Sequence, residues 1–119
     1  MVPHLRNLTP HEIHLMPDGP GGTVIVVPPS GIVARCVVER ERIGFITLPQ
    51  PNGEDLCVPI HRTRFGSVEG LPEPDDDCEL IVSDLVAQAV PEREDLLMVD
   101  DAARDADGRI IGAKALARP

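Results

Sequence analysis

Tyrosine and tryptophan are missing from this chain, and phenylalanine occurs only as Phe45 and Phe65. A core must therefore be filled by Val, Ile, Leu and Ala, whose branched members favour strands. The stacking platforms used by binders of single-stranded nucleic acid are missing too. Lysine is nearly absent, since Lys114 is the one lysine among eleven basic residues. No apolar run approaches the roughly 18 residues a membrane span needs, and no charged-then-apolar signal segment opens the chain. The expectation is a protein that touches no membrane and stays where it is made. The three cysteines, Cys36, Cys57 and Cys78, are odd in number and form no C-x-x-C pair, which points to free, mostly buried thiols in a reducing compartment.

Acid is plentiful but unevenly placed. Residues 1–68 carry six acids and six arginines, whereas residues 69–107 carry fourteen acids against Arg93 and Arg104. The whole chain has a net charge of −9, which repels phosphate and argues against a nucleic-acid polymer as partner.

At 119 residues the chain has the length of one domain, 1–119. It divides into a β-rich, charge-neutral part (1–68), an acidic Pro-rich connector (69–78) and a strand-helix-hairpin part (79–119). Thirteen prolines and ten glycines favour short strands and many turns over long helices. Residues 6–11 read as a lead-in and turn. Strands are predicted at 12–16 and 23–27, joined by the dense turn Pro17–Gly22, then at 32–39 and 43–48. The Pro49–Gly53 loop follows, and segments 56–60 and 63–68 either pair or make one bent strand. Residues 70–77 form a rigid acidic connector.

The stretch Cys78–Val99 holds an apolar run, a helix start and a helix stop within about two dozen residues. A strand at 79–82 leads to Ser83, placed to cap a helix over 84–90 whose first residue, Asp84, suits the positive end of the helix dipole. Leu85, Val86 and Ala89 are expected on its core face, and Pro91 limits it. Strands at 95–99 and 109–117 flank the turn Asp105–Gly108. The expected class is α+β: a small, mostly antiparallel twisted sheet or partly closed barrel with one short helix packed on it.

Catalytic chemistry finds little support. His11-Glu-Ile-His14 is not the helical H-E-x-x-H motif, because its histidines are three apart on a predicted strand and point to opposite faces. His4 and His61 could converge with them on a metal, but solvated histidines are the simpler reading, and neither a metal nor a cofactor is expected. Ser30 sits in a turn and Ser83 at a helix start, neither in a nucleophile elbow. The carboxylates Asp75–Asp77, Asp100 and Asp101 read as solvated. Arg35, Arg62 and Arg64 stand out instead: they lie on predicted strands of the neutral half, and the guanidinium fork suits phosphate or carboxylate. With His11 they are the candidate ligand-binding residues. The competing reading pairs these arginines with the acidic half of the same or a neighbouring subunit. Arg93 and Asp95 follow the helix at a spacing that lets an ion pair fix its exit.

Several of these pieces together resemble an uncharacterised family of small proteins encoded by tailed phages and prophages. They are Asn7-Leu-Thr-Pro-His11, Pro28-Pro-Ser-Gly31 followed by Ala34-Arg35, Gly70-Leu-Pro-Glu-Pro74, Ile81-Val-Ser83 with Leu85-Val-Ala87, Pro91-x-Arg93-x-Asp95, and Arg104-Asp105 leading to Gly108-Arg-Ile-Ile-Gly112. The resemblance implies a phage origin and a cytoplasmic or virion setting, with no mechanism attached. The expected function is a non-enzymatic accessory binding module, homo-oligomeric, holding a small anionic ligand such as a host signalling nucleotide, or a host protein. Two alternatives stand beside it: a head-decoration or tail-associated virion component, and a small hydrolase or metal-binding protein.

Overall fold

The computed structural model describes residues 4–119. It is built mostly of strands: β1 (His4–Asn7), β2 (Ile13–Leu15), β3 (Ile25–Val27), β4 (Arg35–Pro49), β5 (Asp55–Glu69), β6 (Cys78–Ile81), β7 (Leu96–Arg104) and β8 (Ile110–Ala117), with one helix, α1 (Asp84–Ala89). Six strands form one sheet in the order β1-β6-β7-β8-β2-β3, while β4 and β5 form a separate two-stranded ribbon.

β6 is flanked on both sides and shows why the apolar run Cys78–Val82 lies at the centre. Alternation sends Leu80 and Val82 to one side and Ile81 to the other. Leu80 and Val82 join Leu8, Ala34, Val86, Ala87 and Leu96 in one buried cluster, and Ile81 joins Ile13, Leu15 and Val27 in a second. Ser83 caps α1 by accepting from the Val86 amide at 3.4 Å, and Asp84 opens the first turn. The buried face of α1 is Val86 and Ala87, with Val90 half-buried against the same cluster. Leu85, expected inside, is exposed because the helix approaches the sheet one residue further round than expected.

The sheet is nearly closed. Its edge strands β1 and β3 meet at Asn7, which bridges Pro29 and donates from Nδ2 to the Val27 carbonyl at 3.1 Å. A short helix on a partly closed sheet agrees with the expected architecture, but two details differ. The sheet is mixed rather than mostly antiparallel, since β1–β6, β6–β7 and β8–β2 are parallel pairings. The β6-to-β7 link contains α1 and is long enough for a parallel crossover, so the strand-helix-strand run returns in the same direction. Arg6 and Asn7, expected in the lead-in over 6–11, belong instead to strand β1, which pairs with β6, more than seventy positions away, a partner that local turn signals cannot reveal.

The ribbon departs most from expectation. Segments 32–39 and 43–48, expected as separate strands, run together in the one fifteen-residue strand β4, while 56–60 and 63–68 form the single fifteen-residue strand β5, the second of the two arrangements expected for them, and the turn 50–54 closes the pair. The charged run Glu39-Arg-Glu-Arg42 looked like a break between strands. It is tolerated mid-strand because both faces of a free ribbon meet water, so neither needs to be apolar. At about 3.4 Å per residue the arm is about 50 Å long. It touches the body at its base, where Cys36 and Val68 pack on the helix-side cluster and α1 contacts both arm strands. The radius of gyration is accordingly 18.9 Å, against about 13.5 Å for a compact chain of this length. Among the described residues no helix is long and apolar enough to cross a membrane.

Candidate functional site

Strand register assigns every arm side chain to one of two faces. The register shifts between Cys36 and Val38 and between Arg42 and Gly44; these bulges leave each cross-strand pair on a common face. The first face carries the pairs Arg35–Glu69, Glu39–Arg64, Glu41–Arg62, Ile46–Val58 and Leu48–Leu56. The second carries Cys36–Val68, Val38–Phe65, Arg40–Thr63, Arg42–His61, Phe45–Pro59, Thr47–Cys57 and Pro49–Asp55.

This division places the expected ligand residues. Arg35, Arg62 and Arg64 share the first face, each directly opposite an acid, and Arg64 Nη2 lies 2.9 Å from Glu41 Oε2. His11 is on the body, where it lines an apolar cavity of about 410 Å³ with Pro10, Ile13, Ser83, Asp84 and Val99; no arm arginine lines it. The four residues therefore do not converge on one pocket. The second face holds a group that local strand signals do not mark: Arg40, Arg42 and His61 cluster at mid-arm. Arg42 sits over the Phe45 ring, 5.7 Å from its centroid, and that ring is 59% exposed. Neither Arg40 nor Arg42 has a carboxylate within ion-pair distance among the described residues. The period-two placement of Arg40 and Arg42 was the available signal, hidden by reading 40–42 as a strand boundary.

The Asn7–His11 motif serves the backbone. Asn7, buried at 1% exposure, accepts at Oδ1 from the Thr9 amide (2.9 Å) and hydroxyl (2.7 Å) and donates at Nδ2 to the His11 carbonyl (2.7 Å). His14 and Glu12 meet at 2.8 Å. Among the described residues no group of three His, Cys, Asp or Glu side chains is placed to hold a metal ion.

The acidic end of the body is organised by two arginines. Arg93 binds Asp95 and also donates to the Pro72 carbonyl at 2.8 Å, tying the helix exit to the acidic connector. Arg118 grips Glu79 at 2.6 and 2.9 Å and reaches the Glu94 carbonyl at 2.7 Å. These hydrogen bonds hold both carboxyls below the ordinary carboxylate range against the opposing effect of desolvation, and raise both guanidiniums. A cleft of about 380 Å³ beside them is lined by Asp75, Asp76, Glu79, Glu92, Glu94 and Asp95, so an anion is repelled there. No family model matches the chain, and no curated protein or solved structure matches it.

Proposed function

We propose that this chain is a non-enzymatic accessory binding module of phage or prophage origin that captures a small anionic ligand of the nucleotide class on the second face of its arm. The observation that carries this reading is the group Arg40, Arg42 and His61 beside the exposed Phe45 ring. Two guanidiniums without carboxylate partners supply forked donors for phosphate oxygens, and a flat ring accepts a base or a second planar group. Asp55, near the turn, is the only carboxylate that register places on that face. Holding a host signalling nucleotide out of circulation is a role of this kind. Calorimetric titration with nucleoside mono- and diphosphates and with inorganic phosphate tests it. Saturable binding that falls at least tenfold in Arg40→Ala/Arg42→Ala supports the assignment, and no binding to any of them refutes it.

A virion role is favoured by a different observation. The ribbon leaves both of its outer strand edges unpaired along fifteen residues, and an open edge can accept a neighbour's strand. Mass spectrometry of purified particles decides this reading, and absence from particles excludes it.

A further inference from the structure

The first face of the arm has a property that follows from its cross-strand pairs alone. Lay a two-fold axis along the arm, between two ribbons packed face to face. The operation carries β4 of one copy over β5 of the other at the same height, so each residue comes to lie above its own cross-strand neighbour in the second copy. A face whose pairs are opposite in charge, or both apolar, is then complementary to itself.

The first face meets that condition along its length. Arg35 lies over Glu69 of the second copy, Glu39 over its Arg64, Glu41 over its Arg62, Ile46 over its Val58 and Leu48 over its Leu56. The second face does not: there the same operation stacks Arg42 on His61 and Pro49 on Asp55, and the body covers the base around Cys36 and Val68. An axis laid across the middle of the arm also fails, because it brings the apolar tip over the charged base.

Two further observations call for such a partner. Ile46, Leu48, Leu56 and Ile60 are each 43–50% exposed on one face near the tip. A two-stranded ribbon is at best marginally stable alone in water and is normally stabilised by further strands or by packing against another element. The chain also exposes 8236 Å², where a compact monomer of its 12.9 kDa exposes roughly 6300 Å². The excess, roughly 1900 Å², comfortably exceeds the roughly 800 Å² that each partner of a standard interface contributes.

We propose that two copies of this chain pair in parallel, arm against arm, through the face bearing Arg35, Glu39, Glu41, Arg62, Arg64 and the aliphatic tip. The bodies then lie side by side at one end and the Arg40–Arg42–His61 faces point outward, so the pairing stands independently of the ligand reading.

Sedimentation equilibrium on the full chain tests the pairing, with charge exchange testing the register. The wild type is expected at twice its monomer mass. Glu39→Arg/Glu41→Arg and Arg62→Glu/Arg64→Glu each place like charges across the two-fold and are expected to sediment as monomers. Mixed one to one, the new cations of the first face the new anions of the second, and the dimer returns. Leu48→Lys/Leu56→Lys is expected to be monomeric with a folded body, read as a retained cooperative thermal transition, since neither residue contributes to the body core. A monomeric wild type overturns the proposal. So does a dimer that survives both charge variants, or a mixture that stays monomeric while each variant keeps its fold.

Discussion

Arg93 holds Asp95 in a two-pronged grip, Nε to Oδ1 at 2.9 Å and Nη2 to Oδ2 at 2.8 Å, with the two side chains only 18% and 15% exposed. Because Nη2 also donates to the Pro72 carbonyl, one guanidinium fixes the helix exit and the acidic connector together. Arg93→Ala leaves a half-buried carboxylate without its partner and is expected to cost about 1–3 kcal/mol. Arg93→Lys keeps the charge but loses the planar fork, and should fall between the two. Urea unfolding of the three proteins measures the order.

Acid stability follows from the same contacts. Asp95 and Glu79 have folded-state pKa values below their unfolded ones, chiefly through hydrogen bonds from Arg93 and Arg118. Their contribution is therefore complete above the ordinary carboxylate range, about pH 5, and is lost as pH falls through the depressed folded values. The urea midpoint should drop as pH falls below about 5, and Arg93→Ala should flatten that drop. An equally steep fall in the variant would remove Asp95 from the explanation.

Asn7 satisfies two carbonyls and accepts two bonds while fully buried, and it joins the two edges of the sheet. Asn7→Ala strands the Val27 and His11 carbonyls and should cost about 1–3 kcal/mol. Asn7→Asp loses the two donors and adds buried charge, so it should cost more. Thermal unfolding reads both as midpoint drops.

Backbone strain offers a cleaner contrast. Asp101 lies within β7 at φ 54°, the only non-glycine residue of positive φ among those described. Asp101→Gly should be neutral or stabilising by up to about 1 kcal/mol, whereas Asp101→Val should destabilise by about 1–2 kcal/mol. Gly70 has φ 79° and a Cβ there would collide with the Val33 carbonyl oxygen, so Gly70→Ala should lower the thermal midpoint more than either.

What the sequence revealed of this fold was its local chemistry. Ser83 and Pro91 bracket α1, Asp105–Gly108 marks the β7–β8 turn, and the Pro49–Gly53 cluster marks the tip of the arm, because capping and turn formation depend on neighbours in the chain. The pairing of His4–Asn7 with β6 was hidden, since it depends on a residue set far along the chain. Arg40 and Arg42 were hidden for another reason: polar residues in a strand normally signal one wet face, and here both faces are wet. Arg35, Arg62 and Arg64 were legible as cations on strands, but only register shows that each lies opposite an acid.

The ligand-binding role assigned to Arg40, Arg42 and His61 is tested most directly by following arginine Nε–H and histidine ring resonances while a nucleoside diphosphate is titrated into the full chain. Saturating shifts at Arg40, Arg42 and His61, with Arg93 and Arg118 unmoved, are predicted. Resonances that stay fixed at those three residues, or that move only at His11 beside the body cavity, would contradict it.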